Sequence, residues 1–326
     1  MATGTPVQNR ALPPGGARGI FRRFDAREEL AHAIAVTAAM TIFLITALIL
    51  YVLVSQSAVS RHKSGWSFLF SSTWDPVQGN FGALPFIYGT VVTSVLALLI
   101  AVPLGVGAAI FLAELAPITV SNALTFLIEL LAAVPSVIYG LIGIFVLVPI
   151  LQNSVVPAIK AVAGELPIFQ GPFYGVSYFS AGIVLAVMIV PFIISVSREV
   201  LLSVPRDQRE AALALGATRW QTTARVVVPY ASTGIMGSIF LALARALGET
   251  MAVTMVVGNT PQIKASLLAP GYSIAAVIAN EFTEATGDLY LSALIELGLV
   301  LFGVTFIMNG LARIMILATG AKGAHS

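Results

Sequence analysis

The sequence lacks cysteine and is poor in charged residues. None of its 326 residues is Cys, which excludes disulfides and thiolate metal sites. Its three histidines are scattered and form no HExxH pair, so nothing indicates a zinc hydrolase. Only 10% of the residues are charged and 58% are hydrophobic, against about 25% and 45–50% in soluble domains. These proportions predict an integral membrane protein.

Long apolar runs recur along the chain. A helix needs about 20 apolar residues to cross a bilayer, and six runs approach or exceed that length. They cover residues 33–54, 87–112, 123–151, 179–195, 232–257 and 289–312. A transmembrane β-barrel would show strands of about 10 residues with alternating hydrophobicity, and the sequence has none. We therefore predict an all-α membrane protein with six spanning helices.

The two ends of the chain differ from this apolar part. Residues 1–30 are rich in Pro, Gly and Arg and predict a disordered basic tail. The predicted six-helix domain covers residues 31–318, and a short tail of residues 319–326 follows it. The first run exceeds the roughly 7–15-residue apolar core of a signal peptide, so we interpret it as a retained helix.

Positive charge is distributed unevenly between the loops. With a cytoplasmic N-terminus, 12 Lys and Arg residues lie on the cytoplasmic side of the predicted spans and four lie outside. Cytoplasmic loops of membrane proteins carry the excess of Lys and Arg, so the count predicts that both termini are cytoplasmic. In the first outer loop, Trp66 and Trp74 are predicted to anchor the chain at the membrane interface.

The third run is interrupted by Pro135 and Gly140. Proline within a spanning helix is tolerated where neighbours or water satisfy the freed carbonyl group, so the interruption suggests a lined cavity. Ser136 and Tyr139 are therefore candidates for a substrate pathway. The alternative is that their hydroxyl groups bond a backbone carbonyl within the helices.

The loop of residues 203–229, which we call the elbow, carries the local signals of helix, turn and helix. Pro205 is a typical helix start, and Gly216 is a typical left-handed helix stop. Thr218 and Gln221 have the spacing of a capping box for a second short helix. The elbow is thus predicted to contain two short helices joined by a tight turn.

The elbow also resembles a known motif. The order EAA, three residues, Gly, nine residues and Val-x-Val-Pro resembles the EAA loop of permease subunits of binding-protein-dependent, ATP-driven importers. Valine stands for the Ile and Leu of that family and keeps the apolar character. The residues that carry the pattern are Glu210, Ala211, Ala212, Gly216, Val226, Val228 and Pro229. Pro229 is also predicted to begin the fifth span.

This resemblance implies that a separate ATPase docks on the elbow. The small Ala211 and Ala212 let the first short helix enter a groove, and Arg209 and Glu210 pair with charges on its walls. The chain has no GxxxxGK[ST] phosphate loop, so ATP hydrolysis is expected from the partner and this chain is not expected to be an enzyme. A DNA-binding helix-turn-helix is the alternative, but spanning helices tie both of its ends, so we expect no nucleic acid partner.

Residues 65–318 resemble the PstC family, the permeases of the inorganic phosphate importer. The likeness includes LAAVPSVIYGLIGIFVLVP at 131–149 and LARALGETMAVTMVVGN at 243–259. The resemblance implies a type I ABC importer (MetI-like) fold in the bacterial plasma membrane, without a cofactor. It also implies four partners: a PstA-like second permease, a PstB-like ATPase dimer, an extracytoplasmic PstS-like binding protein and a PhoU-type regulator.

Arg245 and Glu249 place two charges within the fifth run. On a continuous helix they lie four residues apart, on one face and within reach of a hydrogen bond. Each charge costs about 2.5–3.5 kcal/mol on insertion scales, which indicates a function. Arg245 offers its planar fork to phosphate oxygens, with Glu249 holding it between substrates and Thr250 beside them. The alternative is a permanent ion pair that joins two helices or gates the pathway.

Other functions stay open on the residues alone. The chain can be a PstA-like partner permease, or its cargo can be another oxyanion such as sulfate or molybdate, because one Arg does not distinguish tetrahedral anions. A proton-coupled secondary transporter would use Glu249 as its proton site, which the EAA pattern argues against. An intramembrane enzyme would need paired catalytic groups, and the predicted spans lack them.

Overall fold

The computed structural model describes the backbone of residues 16–323 and the side chains of residues 29–311, 313 and 314. The described part is α-helical and contains no β-strand, which confirms the predicted class. Its helices are α1 (Gly16–Gln56), α2 (Ala58–Ser64), α3 (Ser67–Phe70), α4 (Leu84–Leu115), α5 (Ile118–Ala132), α6 (Ser136–Ala163), α7 (Tyr178–Leu202), α8 (Arg206–Ala214), α9 (Arg219–Leu247), α10 (Met251–Val257), α11 (Ile274–Glu281) and α12 (Asp288–Gly323).

Six of the described helices are long and apolar enough to cross a membrane. They are Glu29–Gln56 within α1, Asp288–Leu311 within α12, and the whole of α4, α6, α7 and α9. The predicted number of spans is thereby confirmed for residues 16–323. The chain divides after Val52 into two compact units, and the first consists of most of α1.

Both predicted tails are partly helical. α1 already begins at Gly16, so the predicted boundary of the first tail at residue 30 does not hold for residues 16–30. α12 continues to Gly323, beyond the predicted boundary at residue 318. The remaining parts of the two predicted tails, residues 1–15 and 324–326, lie outside the described residues.

The third predicted span is not one helix. α5 ends at Ala132 and α6 begins after Pro135, because proline lacks an N–H and disfavours helical backbone in the residue before it. Gly140 lies inside α6, so its prediction as a second interruption is wrong. A Cβ at Gly140 would lie 2.5 Å from Met255 Sδ, which shows that glycine is there for the close approach of α10.

α5 and the first half of α6 together run along the length of α7. Ser121, near the start of α5, accepts a hydrogen bond at 3.5 Å from Arg198, near the end of α7. Gly143 of α6 lies against Val184, near the start of α7. The predicted third span thus consists of two helices, and the break between them at Pro135 lies close to the middle of α7.

The fifth predicted span, residues 232–257, is also broken. α9 stops at Leu247, and three residues separate it from α10. α9 already begins at Arg219, so the second predicted helix of the elbow and the span form one element. Pro229 lies inside that element after a wide, π-type turn at Thr223–Val227, so its prediction as the start of the span is wrong.

α7 is the central helix of the second unit. Its most apolar part is 67% buried, a larger share than in any other described span. Glycines bring its neighbours close, because Gly105 of α4 leaves room for Ile193 and Gly234 of α9 leaves room for Val200. Small residues at helix contacts are the usual means of close packing between spanning helices.

The end of the bundle opposite the elbow contains an aromatic cluster around Trp74. The indole N–H of Trp74 donates to Glu281 Oε2 at 2.9 Å. The ring packs edge-on, at centroid distances of 4.8 to 6.3 Å, against Phe86, Phe81 and Tyr290. Trp74 therefore packs against this cluster while half-buried, and its role as an interfacial anchor stays a prediction. Trp66, in contrast, is exposed.

Candidate functional site

The turn of the elbow has the geometry that its sequence predicts. α8 follows Pro205 and ends at Ala214, and Gly216 has a left-handed backbone with φ of +85°. The Gly216 N–H donates to Leu213 O at 3.0 Å, and the Ala217 N–H donates to Ala212 O at 3.2 Å. These two bonds close the last turn of α8 in a Schellman motif, which needs a residue that tolerates positive φ.

The second helix of the elbow begins with the predicted capping box. The Gln221 N–H donates to Thr218 Oγ1 at 3.2 Å, and the Thr218 N–H donates to Gln221 Oε1 at 2.9 Å. This reciprocal pair satisfies two backbone donors that the start of a helix leaves free. The direction of α9 relative to the turn is therefore fixed by local bonds.

The elbow presents both charge and apolar surface to its surroundings. Glu210 and Ala211 are exposed, and Ala212 is half-buried. Leu215 is 90% exposed and Trp220 is 61% exposed. Exposed apolar side chains that are grouped on a surface are typical of sites of protein contact. Sequence reasoning missed Leu215 and Trp220, although their apolar character within a polar loop was a usable signal.

Arg209 turns inward, away from the exposed face of the elbow. Its Nη2 lies 2.8 Å from Glu114 Oε1, and its Nε lies 3.4 Å from Glu114 Oε2. The same guanidinium donates to Leu201 O at 2.8 Å and to Val204 O. The prediction that Arg209 pairs with charges on a docked partner is at odds with this geometry, because its donors are used within the chain.

Arg245 and Glu249 do not form the predicted pair. Their spacing of four residues would place them on one face of a continuous helix, but α9 ends at Leu247, so Glu249 lies in the break. The Ala252 N–H donates to Glu249 Oε1 at 3.1 Å, so this carboxylate caps the start of α10. No ion pair joins Arg245 and Glu249 among the side chains that the structure describes.

Arg245 projects from the last turn of α9 towards α7. Its guanidinium carbon lies 5.8 Å from the centroid of the Phe192 ring, near the middle of α7. The side chain is half-buried, and no carboxylate lies within ion-pair distance of it in the described part of the chain. A cation–π contact orients a guanidinium without using its N–H donors. Those donors remain available to an anion.

The hydroxyl groups predicted near Arg245 have different surroundings. The Tyr139 hydroxyl donates to Leu131 O at 2.7 Å, a carbonyl at the end of α5. This is the alternative that the sequence left open for Tyr139. The Thr250 hydroxyl donates to Gly248 O at 3.3 Å within the second break. Ser136 is half-buried in the first turn of α6.

The helices that follow the two breaks contact each other. α6 and α10 pack together where Gly140 faces Ala252, and a Cβ at Gly140 would lie 3.2 Å from Ala252 Cα. Ser136 and Tyr139 precede that contact on α6. Arg245, on α9, and Glu249, in the break, precede it on the chain that leads to α10. The structure thus brings together the helices that follow the two breaks, and it places the elbow residues separately at one end of the bundle.

An unpaired guanidinium at two helix breaks inside an apolar bundle is suited to bind an anion. Its fork donates two parallel hydrogen bonds to an oxyanion, and the low polarity around it strengthens them. In the described part of the chain, no three acidic or histidine side chains come close enough to hold a metal ion. The arrangement therefore supports recognition of an oxyanion by Arg245 and hydroxyl groups.

Comparisons with known proteins identify the family. Residues 101–317 match the model of the binding-protein-dependent transport system inner membrane component. The chain is 47% identical over 305 residues to the phosphate transport system permease protein PstC of Mesorhizobium japonicum, with 92% of this chain and 93% of that protein covered. The chain belongs to the PstC permease family.

Other PstC proteins match over most of their length. The phosphate transport system permease protein PstC of Xylella fastidiosa (strain 9a5c) is 44% identical over 326 residues, with 98% of this chain and 99% of the relative covered. A probable phosphate transport system permease protein PstC of Methanocaldococcus jannaschii is 35% identical, with 85% and 89% covered. The predicted family is confirmed.

Solved structures support the fold. A crystal structure of a bacterial ABC transporter involved in the import of the acidic polysaccharide alginate matches with a TM-score of 0.55. The match covers 90% of this chain and 98% of that chain at 17% identity. The predicted type I ABC importer permease fold is confirmed. A PstC-family permease with six apolar helices is a multi-pass inner-membrane transporter subunit.

Proposed function

We propose that this chain is the membrane-spanning permease subunit of an ATP-driven importer of inorganic phosphate. The family of the chain and the names of its relatives support the class and the cargo. The single observation that carries the proposal is the unpaired guanidinium of Arg245 at the second helix break. An isolated cation within a spanning segment is costly, and binding a transported anion justifies that cost.

In this proposal, Arg245 receives phosphate at the middle of the pathway. Its planar fork donates two hydrogen bonds to phosphate oxygens. Ser136 contributes its hydroxyl group, and the Thr250 hydroxyl exchanges its bond to Gly248 O for one to phosphate. Glu249 caps α10 and keeps a negative charge next to the path. Because this charge opposes the anion, phosphate is bound briefly and released onward.

The energy comes from a separate ATPase that docks on the elbow. Glu210, Ala211 and Ala212 face this partner, together with the exposed Leu215 and Trp220. Gly216 fixes the turn between α8 and α9, so that force on α8 acts on α9. The ATPase is a PstB-like dimer, and the complex contains a PstA-like second permease, a PstS-like binding protein and a PhoU-type regulator.

The proposed orientation places the elbow and both chain termini in the cytoplasm. Positively charged residues are concentrated at the elbow and at the two ends of the sequence, which agrees with the positive-inside rule. The loops between α9 and α12 and between α6 and α7 then face outward, where the PstS-like protein delivers phosphate. In terms of domains, residues 31–318 form the permease and residues 203–229 its coupling elbow.

The test of the pathway role is Arg245→Gln in the reconstituted complex. A hydrogen bond to a charged group contributes about 1.5–3 kcal/mol, so we expect phosphate uptake to fall roughly 10- to 150-fold. Complex assembly and ATP hydrolysis stay close to those of the unchanged protein. The matched control is Arg313→Gln, which removes an exposed Arg of α12 outside the elbow and leaves uptake unchanged. Normal uptake by Arg245→Gln would refute the pathway role.

The same assay separates the remaining cargo and energy alternatives. Unlabelled sulfate and molybdate in excess should leave uptake of radiolabelled phosphate unchanged, whereas inhibition by either would indicate a broader oxyanion carrier. Collapse of the proton gradient should have no effect while ATP is supplied. Loss of uptake under that condition would indicate a proton-coupled carrier instead.

A further inference from the structure

A half-buried ion pair joins the elbow to the rest of the bundle. Arg209 of α8 and Glu114 in the last turn of α4 are 20% and 10% exposed, and two N–H groups of the guanidinium face the two carboxylate oxygens. Arg209 also donates to Leu201 O and Val204 O at the end of α7. One side chain therefore holds three elements together at a single point.

Apart from Arg209, α8 is weakly attached to the bundle. None of its residues is fully buried. The chain connects α8 to its neighbours through two turns, the one before Arg206 and the one at Gly216. A short helix between two turns can rock about its ends unless a side chain ties it down. Arg209 supplies that tie.

A second polar contact extends the junction to α5. Arg198 of α7, 12% exposed, donates to Ser121 Oγ at 3.5 Å, and the Ser121 hydroxyl donates to Leu112 O of α4 at 2.8 Å. α5 leads directly to the break at Pro135. The junction thus connects α8 with α4 and α7, and through Ser121 with the helix that ends at the pathway.

We propose that the Arg209–Glu114 pair transmits movement of the docked ATPase from α8 to α4 and α7. The proposal rests on the proposed function, and Arg209 acts as a positioning residue that contacts neither ATP nor phosphate. A bidentate ion pair with two further carbonyl contacts resists rotation, and low local polarity strengthens it. Without the pair, α8 rocks on its turns, and ATP is hydrolysed while the pathway stays still.

The test is the amount of phosphate moved per ATP hydrolysed. In the complex with its partner subunits, Arg209→Met keeps side-chain length and removes the charge. We expect co-purification with the ATPase and ATP hydrolysis within about twofold of the unchanged protein, and a fall of about tenfold or more in phosphate per ATP. Glu114→Gln retains acceptor capacity, and we expect a smaller fall. The control Arg313→Met removes an exposed cation of α12 outside the elbow and leaves the ratio unchanged.

Two outcomes of this assay would overturn the proposal. An unchanged ratio in Arg209→Met would mean that the pair transmits nothing. Loss of the ATPase during purification would mean that Arg209 serves docking itself. A merely structural role would lower hydrolysis and transport together, which also contradicts the proposal.

A distance measurement tests the link independently of phosphate. Because the chain has no cysteine, Cys can be introduced at the exposed positions Phe111 and Leu213 and spin-labelled without background. With the pair intact, the distance between the labels should be narrowly distributed and the same with and without ATP. Arg209→Met should broaden it, and Arg209→Lys should broaden it less. A distribution that is equally narrow without the pair would refute the link, even where the phosphate assay itself fails.

Discussion

Glu249 illustrates how the role of one residue depends on where a helix ends. With α9 continuing, Glu249 would pair with Arg245, but the helix stops at Leu247 and the carboxylate caps α10 instead. The cap uses one carboxylate oxygen as an acceptor, which an amide oxygen can replace. The negative charge is a separate property, and an amide does not replace it.

This difference leads to a prediction for Glu249→Gln. The amide keeps the cap, so the complex should assemble and melt at the same temperature. Without the negative charge, phosphate is held more tightly by Arg245 and leaves more slowly. We therefore expect the KM for phosphate and the maximal rate of uptake each to fall severalfold. Each change corresponds to a free energy of roughly 1 kcal/mol. Kinetics of uptake at varied phosphate concentration measure both.

The matched variant Glu249→Ala removes the cap as well as the charge. Loss of a capping side chain costs about 0.5–2 kcal/mol, so this variant should also melt at a lower temperature. Equal melting temperatures and equal kinetics for Glu249→Gln and the unchanged protein would contradict the role of the charge. Equal melting of Glu249→Ala would contradict the cap.

Single residues were predicted well only where their partners are close in sequence. The Thr218 and Gln221 pair was predicted because its two members lie three residues apart. The contact of Arg209 with Glu114 was not predicted, because Glu114 lies 95 residues earlier and no local pattern connects the two residues. Arg209 was predicted to face a docked partner instead. The break after Leu247 left one signal, Gly248, which is a weak helix former.

At the scale of elements, the turn of the elbow depends on a single backbone conformation. Gly216 has a φ of +85°, which costs a residue with a Cβ roughly 1–2 kcal/mol and a β-branched residue more. A Cβ there would meet no other atom, so the cost lies in the backbone and not in packing. Substitutions at Gly216 therefore report on the turn itself.

We predict that Gly216→Val abolishes ATP-driven phosphate uptake, while Gly216→Asn retains much of it. Asn tolerates left-handed backbone far better than valine, so it preserves the Schellman turn. Uptake in vesicles and co-purification of the ATPase are the measurements. Normal uptake by Gly216→Val would mean that the turn is not needed for coupling. Equal loss in both variants would point to a requirement for glycine beyond its φ.

The elements were predictable in kind but not in extent. Apolar length gave the number of spans, because any helix that crosses lipid must be long and apolar. It did not give the breaks in the third and fifth spans, because an apolar run reads the same whether its helix is continuous or interrupted. Pro135 marked the first break in the sequence. The second break was marked only by Gly248, and in the structure Glu249 caps the helix that follows it.

At the scale of the whole molecule, a continuous series of contacts connects the elbow with the two broken spans. The elbow is fixed to α9 by its turn and to α4 and α7 by Arg209. α9 ends at the second break beside Arg245, and α5, which joins the same junction through Ser121, ends at the first. In the proposed mechanism, movement of the elbow is therefore transmitted to both breaks.

The proposed coupling to an ATPase requires that the elbow face the cytoplasm, where ATP is present. This orientation can be tested directly. The absence of cysteine allows single-Cys variants without background. Leu215 is 90% exposed on the elbow, and Val77 is 96% exposed in the loop between α3 and α4. In intact cells, a membrane-impermeant maleimide should label Val77→Cys and leave Leu215→Cys unlabelled, because only the outer loops are accessible.

After permeabilisation of the inner membrane without detergent extraction, Leu215→Cys should also react, unless a docked ATPase covers it. Removal of the ATPase subunit from the strain then restores labelling, which separates protection by the membrane from protection by the partner. Labelling of Leu215→Cys in intact cells would reverse the proposed topology. The ATPase could not then reach the elbow, and the coupling of α8 to the pathway would lose its source of energy.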